Sequence, residues 1–407
     1  MNYRKLVYLP MLIMILFLLS GCWSQKELTD IAFVSALGID KTDEGKYVGT
    51  IQVINPSNVA ATAQGSGTQS TPVTIFSSTG DTITETVRRS TAKVSRRLYF
   101  THTNLLVIGE ELAREEGIEL LFDAIDRDPE FRTTTTVVIA HGARAEDFVK
   151  ILSTLEKIPA NNVIKVLESS EKRWGEHAAF SVHDVIQSLV SPGKEPVITG
   201  FILKGEVNQG KKLENLQQSS PDTKIEANGI GIFKKGRLVD WLDNEPSRGA
   251  LWVLNKIRAT AIEVDWEENK DAIVYDLIRQ KTNVSASMKN NQPTITIEVN
   301  GEGQIGELKV PVNLNDPYVL LEIEKKLEKE IKEEIEDSIR KAQENQSDIF
   351  GFGEAVHRSN PNEWKRLKLD WNEVHFPELQ AEVTVNAFIR STELRNKSYL
   401  STMEKDG

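Results

Sequence analysis

The chain has 407 residues, which at roughly 150 per domain points to two or three domains, and 39% apolar with 27% charged residues excludes collagen, low-complexity disorder and a polytopic membrane protein. Against 49 bases stand 60 acids, a net charge of −11 that argues against non-specific nucleic-acid binding. A single cysteine excludes an internal disulfide and every multi-cysteine zinc or iron–sulfur site.

The N-terminus opens Met1-Asn2-Tyr3-Arg4-Lys5, a basic stretch, and continues as an apolar run over 6–19. As a helix that run spans ~21 Å, short of the ~30 Å bilayer core, so residues 1–21 read as an export signal. It ends Leu19-Ser20-Gly21-Cys22, which resembles the lipobox of bacterial lipoproteins. Small side chains at 20 and 21 admit a protease that cuts between Gly21 and Cys22. The thiol of Cys22 then carries a diacylglyceryl thioether, and its freed amino group is open to N-acylation. The alternative is an ordinary signal peptide with an incidental cysteine; the sole cysteine standing at the one required position favours lipidation. Two acyl chains supply the double anchoring that one chain lacks. Trp23 either sits at the headgroup level or packs on the folded domain. Losing Arg4 and Lys5 with the signal leaves a charge of −13, an acidic body held outside the membrane by its first residue.

Beyond the signal, apolar runs at 31–39 and 47–54 predict a hairpin with Gly45 in its turn. A small, polar loop is expected at 56–72, and then a strand at 73–77. Ile83, Val87, Val94 and Leu98 suggest a helix capped by Asp81. A short buried strand follows at 105–108, closed by Gly109. Ile118, Leu121, Phe122 and Ile125 then fall on one helical face ahead of Pro129. A β-branched run at 133–140 predicts a strand, and 145–153 and 182–190 read as helices. Strands alternating with helices give an α/β layered unit. A new pattern begins at 197–203, followed by a polar linker or surface loop at 205–223, a hairpin around Lys234-Lys235-Gly236, and a short helix at 251–257. Val284, Ala286, Met288 alternate, as do Ile295, Ile297, Val299, which predicts an antiparallel pair. Asp316-Pro317 starts a long helix over 317–342 with Ile323, Leu327, Ile331, Ile335 and Ile339 at every fourth residue. Strict fours drift from the coiled-coil period, so this helix is expected to lie across a sheet with a charged back. A helix near 348–358 and a strand through Val383, Val385, Ala387 and Ile389 complete the chain.

The reading is a mixed α/β (α+β) fold: a lipoprotein signal at 1–21, an N-terminal α/β domain at 22–196, a small β-rich middle domain at 197–262, a C-terminal α/β domain at 263–400 and a tail at 401–407. Chemistry is sparse in it. Gly301-Glu302-Gly303-Gln304-Ile305-Gly306 matches G-x-G-x-x-G, but no helix opens at its third glycine, so the glycines are expected as turn residues rather than a nucleotide site. His102, His141, His177, His183, His357 and His375 show no metal-ligand spacing. Ser181 beside His183-Asp184 reads as a helix N-cap. Asp123, Asp126, Asp128 and Glu130 lack the glycine of a calcium loop and read as solvated acids. No catalytic residue, metal site or cofactor is expected besides the covalent diacylglycerol on Cys22, and no ligand-binding residue is identified.

The stretch Gly21-Cys22-Trp23-Ser24-Gln25-Lys26-Glu27-Leu28 with Leu37-Gly38-Ile39-Asp40 resembles the start of the Ger(x)C family of spore germination lipoproteins. So do His102-Thr103-Asn104, Ile108-Gly109-Glu110-Glu111-Leu112-Ala113-Arg114 and Arg127-Asp128-Pro129-Glu130. Near the C-terminus, Asp348-Ile349-Phe350-Gly351-Phe352-Gly353-Glu354 with Trp364 and Trp371 is similar too. The resemblance implies three consecutive mixed α/β domains behind a lipidated N-terminus. It implies the C subunit of a nutrient germinant receptor, on the outer face of the spore inner membrane with integral-membrane A and B subunits, and no catalytic residues. Gly38, Gly109 and Gly353 then suit tight turns or close packing, and Trp364 a core anchor. The alternative, an exported solute-binding lipoprotein of a transporter, predicts two similar lobes around a cleft, whereas the three segments differ in pattern.

Overall fold

The computed structural model describes residues 30–61, 71–289 and 292–391. The signal at 1–21, Cys22, Trp23 and the tail at 401–407 lie outside the described residues.

The first sheet grows from its buried centre. Strand β1 (Ile31–Lys41) turns at Gly45, whose φ is 82°, into antiparallel β2 (Tyr47–Ile54), and β3 (Val73–Gly80) pairs on β2. On the other side of β1 lie β5 (Leu105–Gly109) and β6 (Thr136–Ala140), all parallel, with Leu37 opposite Leu106 and Leu106 opposite Val137. Every residue of β5 is buried, as a parallel strand covered on both faces requires. The short β4 (Arg97–Tyr99) runs beside the start of β1, and β7 (Phe180–Ser181) beside β6. Strand β8 (Val197–Gly205) joins parallel to β6 at Ile139↔Gly200, and antiparallel β9 (Thr223–Lys234) and β10 (Arg237–Leu242) extend the edge. The expected boundary at 196/197 therefore falls inside one sheet of order β10-β9-β8-β6-β5-β1-β2-β3.

Helices cover both faces. On one side α1 (Ile83–Arg89), α2 (Glu110–Glu115), α3 (Glu119–Asp126) and α6 (Val182–Val190) bury Ile83, Leu112, Phe122 and Val185. On the other, α4 (Ala145–Lys150) and α5 (Pro159–Arg173) bury Phe148, Val149, Val163 and Leu167. Sequence patterning differs from this in four places. Helix α1 stops at Arg89 and is capped by Thr82, whose Oγ1 accepts from the Glu85 N–H at 3.1 Å; Leu98 belongs to β4. Helix α5 was not anticipated, and the polar stretch at 205–223 holds two short helical turns, Val207–Gly210 and Leu213–Leu216. Of the loop expected at 56–72, Pro56–Ala61 is helical, and 62–70 lie outside the described residues.

The second sheet has the order β11-β12-β13-β14. Its centre is the long hairpin of β12 (Asn269–Lys289) and β13 (Gln292–Leu308), in the register the alternation predicts, with Val284 opposite Ile297 and Ala286 opposite Ile295. Strand β11 (Thr260–Trp266) flanks β12, and β14 (Gln380–Ser391) runs parallel to β13. The expected long helix is α8 (Pro317–Glu344), capped by Asp316, with Ile323, Leu327, Ile331, Ile335 and Ile339 all buried against the sheet. Glu324 and Glu328 on it accept from the backbone N–H groups of Ile389 and Ala387 along β14. The segment 197–262, expected as a middle domain, divides between the two sheets: β8–β10 extend the first, β11 joins the second, and α7 (Glu245–Val253) packs on α8. Val197, Ile230 and Ile232 belong to the same apolar cluster as the second sheet, which makes the core continuous across the junction.

Candidate functional site

In an open sheet, clefts form at the carboxyl ends of the parallel strands. Here an open cleft of about 870 Å³ lies there, lined by Asp40 and Lys41 at the end of β1, Glu110 after β5 and His141 after β6. Asp40 is buried, and its two oxygens accept from the N–H groups of Ala145 and Glu146 at 2.8 Å each. The chain thus supplies its own anion to the first turn of α4. Burial pushes the Asp40 carboxyl above its usual range, against the pull of those two N–H groups.

Glu110 accepts from Arg114 Nε at 2.7 Å, from the Gly142 N–H at 2.5 Å and from Trp241 Nε1 at 3.1 Å. Burial raises its pKa, but these three donors outweigh it and hold the carboxyl below the ordinary value. The His141 ring stacks on Trp241 with centroids 3.9 Å apart. Its Nδ1 is buried with no hydrogen-bond partner among the described residues. Lys41 and Tyr47 both bind Glu116, and Lys211 pairs with Asp147 at 2.6 Å. Among the described residues no Ser, Thr or Cys side chain lines the cleft. Most of its charges are paired, while Glu111 and Glu115 have no ion-pair partner among the described residues, so the arrangement offers mixed polar contacts to a partner molecule.

A second polar cluster ties the two sheets together. Asp348, fully buried, accepts from the N–H groups of Gly351, Phe352 and Gly353 at 2.9, 3.0 and 2.7 Å and from Trp371 Nε1 at 2.8 Å. The Glu195 N–H donates to the Asp348 carbonyl at 2.8 Å, while the Glu195 carboxylate accepts from Asn372 Nδ2 at 2.7 Å and the Lys235 N–H at 3.0 Å. Desolvation pushes Asp348 up to about 6 and Glu195 up to about 7. Sequence reasoning noticed the run from Asp348 to Gly353 only as a resemblance; an acid ahead of two glycines, with a tryptophan further on, was its available signal. Glu195 gave none.

The remaining residues singled out from sequence are dispersed. Cys22 and the Gly21–Cys22 cleavage point lie outside the described residues. Gly301, Gly303 and Gly306 are not turn residues but lie within β13, where a Cβ on Gly303 would stand 2.5 Å from Tyr275 Cζ and one on Gly306 2.3 Å from Asp276 Oδ2. Asp123 pairs with Arg127 and Glu130 with Arg97, while Asp128 accepts from the Glu130 N–H. Ser181 forms a capping box with Asp184. His102 packs on Phe33 and Tyr99, and His177 meets Ser170 at 3.1 Å, its pKa lowered by burial to about 4. Among the described residues no three His, Cys, Asp or Glu side chains are grouped to hold a metal ion, and no helix is long and apolar enough to cross a membrane.

Fold and site together define an α+β protein of two sheets, joined through a continuous core and a buried carboxylate cluster. The crystal structure of the GerBC protein shares this fold at a TM-score of 0.55 and 18% identity, covering 87% of this chain and 97% of that one. A profile of the spore germination protein N-terminal domain matches residues 24–203, and one described as spore germination B3/GerAC like, C-terminal, matches residues 228–393. Spore germination protein KC of Bacillus subtilis (strain 168) is 42% identical over 395 residues, 97% of this chain and 97% of that protein. Spore germination protein B3 of the same organism is 22% identical over 88% of this chain and 90% of its own length. The chain belongs to the Ger(x)C family of spore germination proteins.

Proposed function

We propose that this chain is the lipid-anchored, non-catalytic C subunit of a nutrient germinant receptor, needed for the spore's germination response. The observation that carries this is the 42% identity to spore germination protein KC along 97% of both chains. The lipobox at Leu19-Ser20-Gly21-Cys22 supports a diacylglyceryl anchor on Cys22 and a place on the outer face of the spore inner membrane. The mixed polar lining of the cleft supports action through protein contacts, with the integral-membrane A and B subunits as partners. The two sheets differ in strand number and connection, which counts against the bilobal solute-binding alternative.

The test is a deletion of the gene followed by nutrient-triggered germination. Spores without the protein should lose the response to at least one nutrient, with rescue by the wild type and not by Cys22→Ala. Full germination on every nutrient would overturn the receptor reading. Rescue by Cys22→Ala, or a Cys22→Ala protein still carrying labelled fatty acid, would overturn the anchor alone.

A further inference from the structure

The chain carries −11 overall, yet residues 88–97 read Arg-Arg-Ser-Thr-Ala-Lys-Val-Ser-Arg-Arg, with five bases and no acid. The fold places the end of this run beside the start of the sheet: Arg97 of β4 stands opposite Ile31, the first residue of β1. Cys22 lies eight residues before Asp30, at most ~28 Å of extended chain. The basic run therefore ends at the side from which any N-terminal anchor must enter. The cleft at Asp40 and Lys41 lies at the other end of β1, whose 11 residues reach ~36 Å.

Around this end most acids are engaged, while the exposed Asp30 and Asp126 have no ion-pair partner among the described residues. Glu130 pairs with Arg97, Asp123 with Arg127, Glu85 with Arg89, and Asp128 accepts from the Glu130 N–H. Arg88, Arg96 and Arg132 are exposed, and among the described residues none of the three has an ion-pair partner. Between α1 and the end of α3 a groove of about 320 Å³ opens, lined by the apolar Ile83, Val87, Phe100 and Phe131, with the exposed Arg88 and Arg127 and one acid, Asp128, also lining it. Apolar floor beside guanidinium groups is the chemistry that an acyl chain and its phosphate require together.

We propose that Arg88, Arg96 and Arg132, with the groove between α1 and α3, form a face that rests on an anionic phospholipid bilayer. The face turns the N-terminal sheet so that its carboxyl-end cleft points away from the membrane. The inference rests on the lipid-anchor reading for its geometry, but fails separately from it.

The lipidated protein is inserted into vesicles of phosphatidylcholine alone or of phosphatidylcholine with one third phosphatidylglycerol. Ser95→Cys carries an environment-sensitive fluorophore, the native thiol being consumed by lipid, and Ser287→Cys on the second sheet is the control. Lipid-borne quenchers should dim the label at 95 in anionic vesicles, and not the label at 287. The combined Arg88→Gln, Arg96→Gln and Arg132→Gln variant should lose that dimming. Equal signals in the two lipids, or dimming that survives in the variant, would overturn the face. A chain begun at Trp23 keeps every buried apolar residue among the described residues, all at 31 or beyond. That chain should float with anionic vesicles and not with neutral ones, and the three substitutions should weaken this on the order of a hundredfold. No flotation with either lipid would overturn the face while leaving the anchor standing, whereas a full-length protein that fails to float with neutral vesicles would overturn the anchor alone.

Discussion

Where β5 ends, a Cβ on Gly109 would stand 2.2 Å from Asp40 Oδ1. The absent side chain is what lets the Asp40 carboxylate reach the two N–H groups that open α4. Gly109→Ala should push that carboxylate aside and destabilise the fold by about 1–3 kcal/mol, the range for forcing atoms into a packed interior. Urea unfolding checks it: the midpoint should fall with the slope unchanged. An unchanged midpoint would remove this role for the glycine. From the family resemblance Gly109 suited either a tight turn or close packing; its partner was not legible, because Asp40 meets it only through the pairing of β1 with β5. The glycines of β13 were misread for a related reason. Alternate glycines on a strand share one face, and the pattern looks the same whether a turn or an intruding ring such as Tyr275 explains it.

At the scale of elements, the contact of α7 with α8 shows what periodicity reveals and what it hides. The five isoleucine and leucine positions of α8 were legible because a spacing of four keeps them on one stripe. Glu334, counted among its charged back, is instead 7% exposed and accepts from Arg248 Nε at 3.0 Å on both oxygens and from Trp252 Nε1 at 3.1 Å. Gly249 permits this approach, since a Cβ there would stand 2.0 Å from the Glu334 carbonyl oxygen. A buried pair of this kind is costly to break from one side. Arg248→Met should destabilise by about 3–5 kcal/mol through the uncompensated carboxylate. The double variant Arg248→Met/Glu334→Leu should recover most of that loss, and a thermodynamic cycle over the four proteins measures it. Additive losses would show that the two side chains do not act as a pair. Helix α5 escaped the sequence reading because its buried positions, Pro159, Ala160, Val163 and Leu167, are few and, beyond Ala160, interrupted by polar residues.

Strand order is a property of the whole molecule, and local pattern does not carry it. The hairpin of β9 and β10 was legible and 197–203 only as a change of pattern, but nothing within 197–242 announces that β8 pairs with β6 rather than joining a sheet of its own. The carboxylate cluster is likewise assembled from distant parts: Glu195 ahead of β8, Lys235 in the β9–β10 turn, and Asp348 and Asn372 after α8. It makes the junction of the two sheets sensitive to pH. Burial raises Glu195 from 4.5 to about 7 and Asp348 from 3.8 to about 6, so the folded chain holds protons that the unfolded chain has already released. Their stabilisation is therefore complete below about pH 4 and is lost as pH rises through about 6 to 7. His177 works in the opposite direction, because burial lowers its pKa to about 4 and folding then favours the neutral ring as pH rises. A difference measurement separates the two. Glu195→Gln mimics the protonated carboxyl, so wild type and variant should unfold at the same urea concentration at about pH 4. Above about pH 8 the variant should be the more stable by up to about 3 kcal/mol, the equivalent of the Glu195 shift. A wild type that matches or exceeds the variant at pH 8 would show that Asn372 and the Lys235 N–H fully compensate the buried charge. In that case the junction would be held by an ionised Glu195 at every pH at which the protein works.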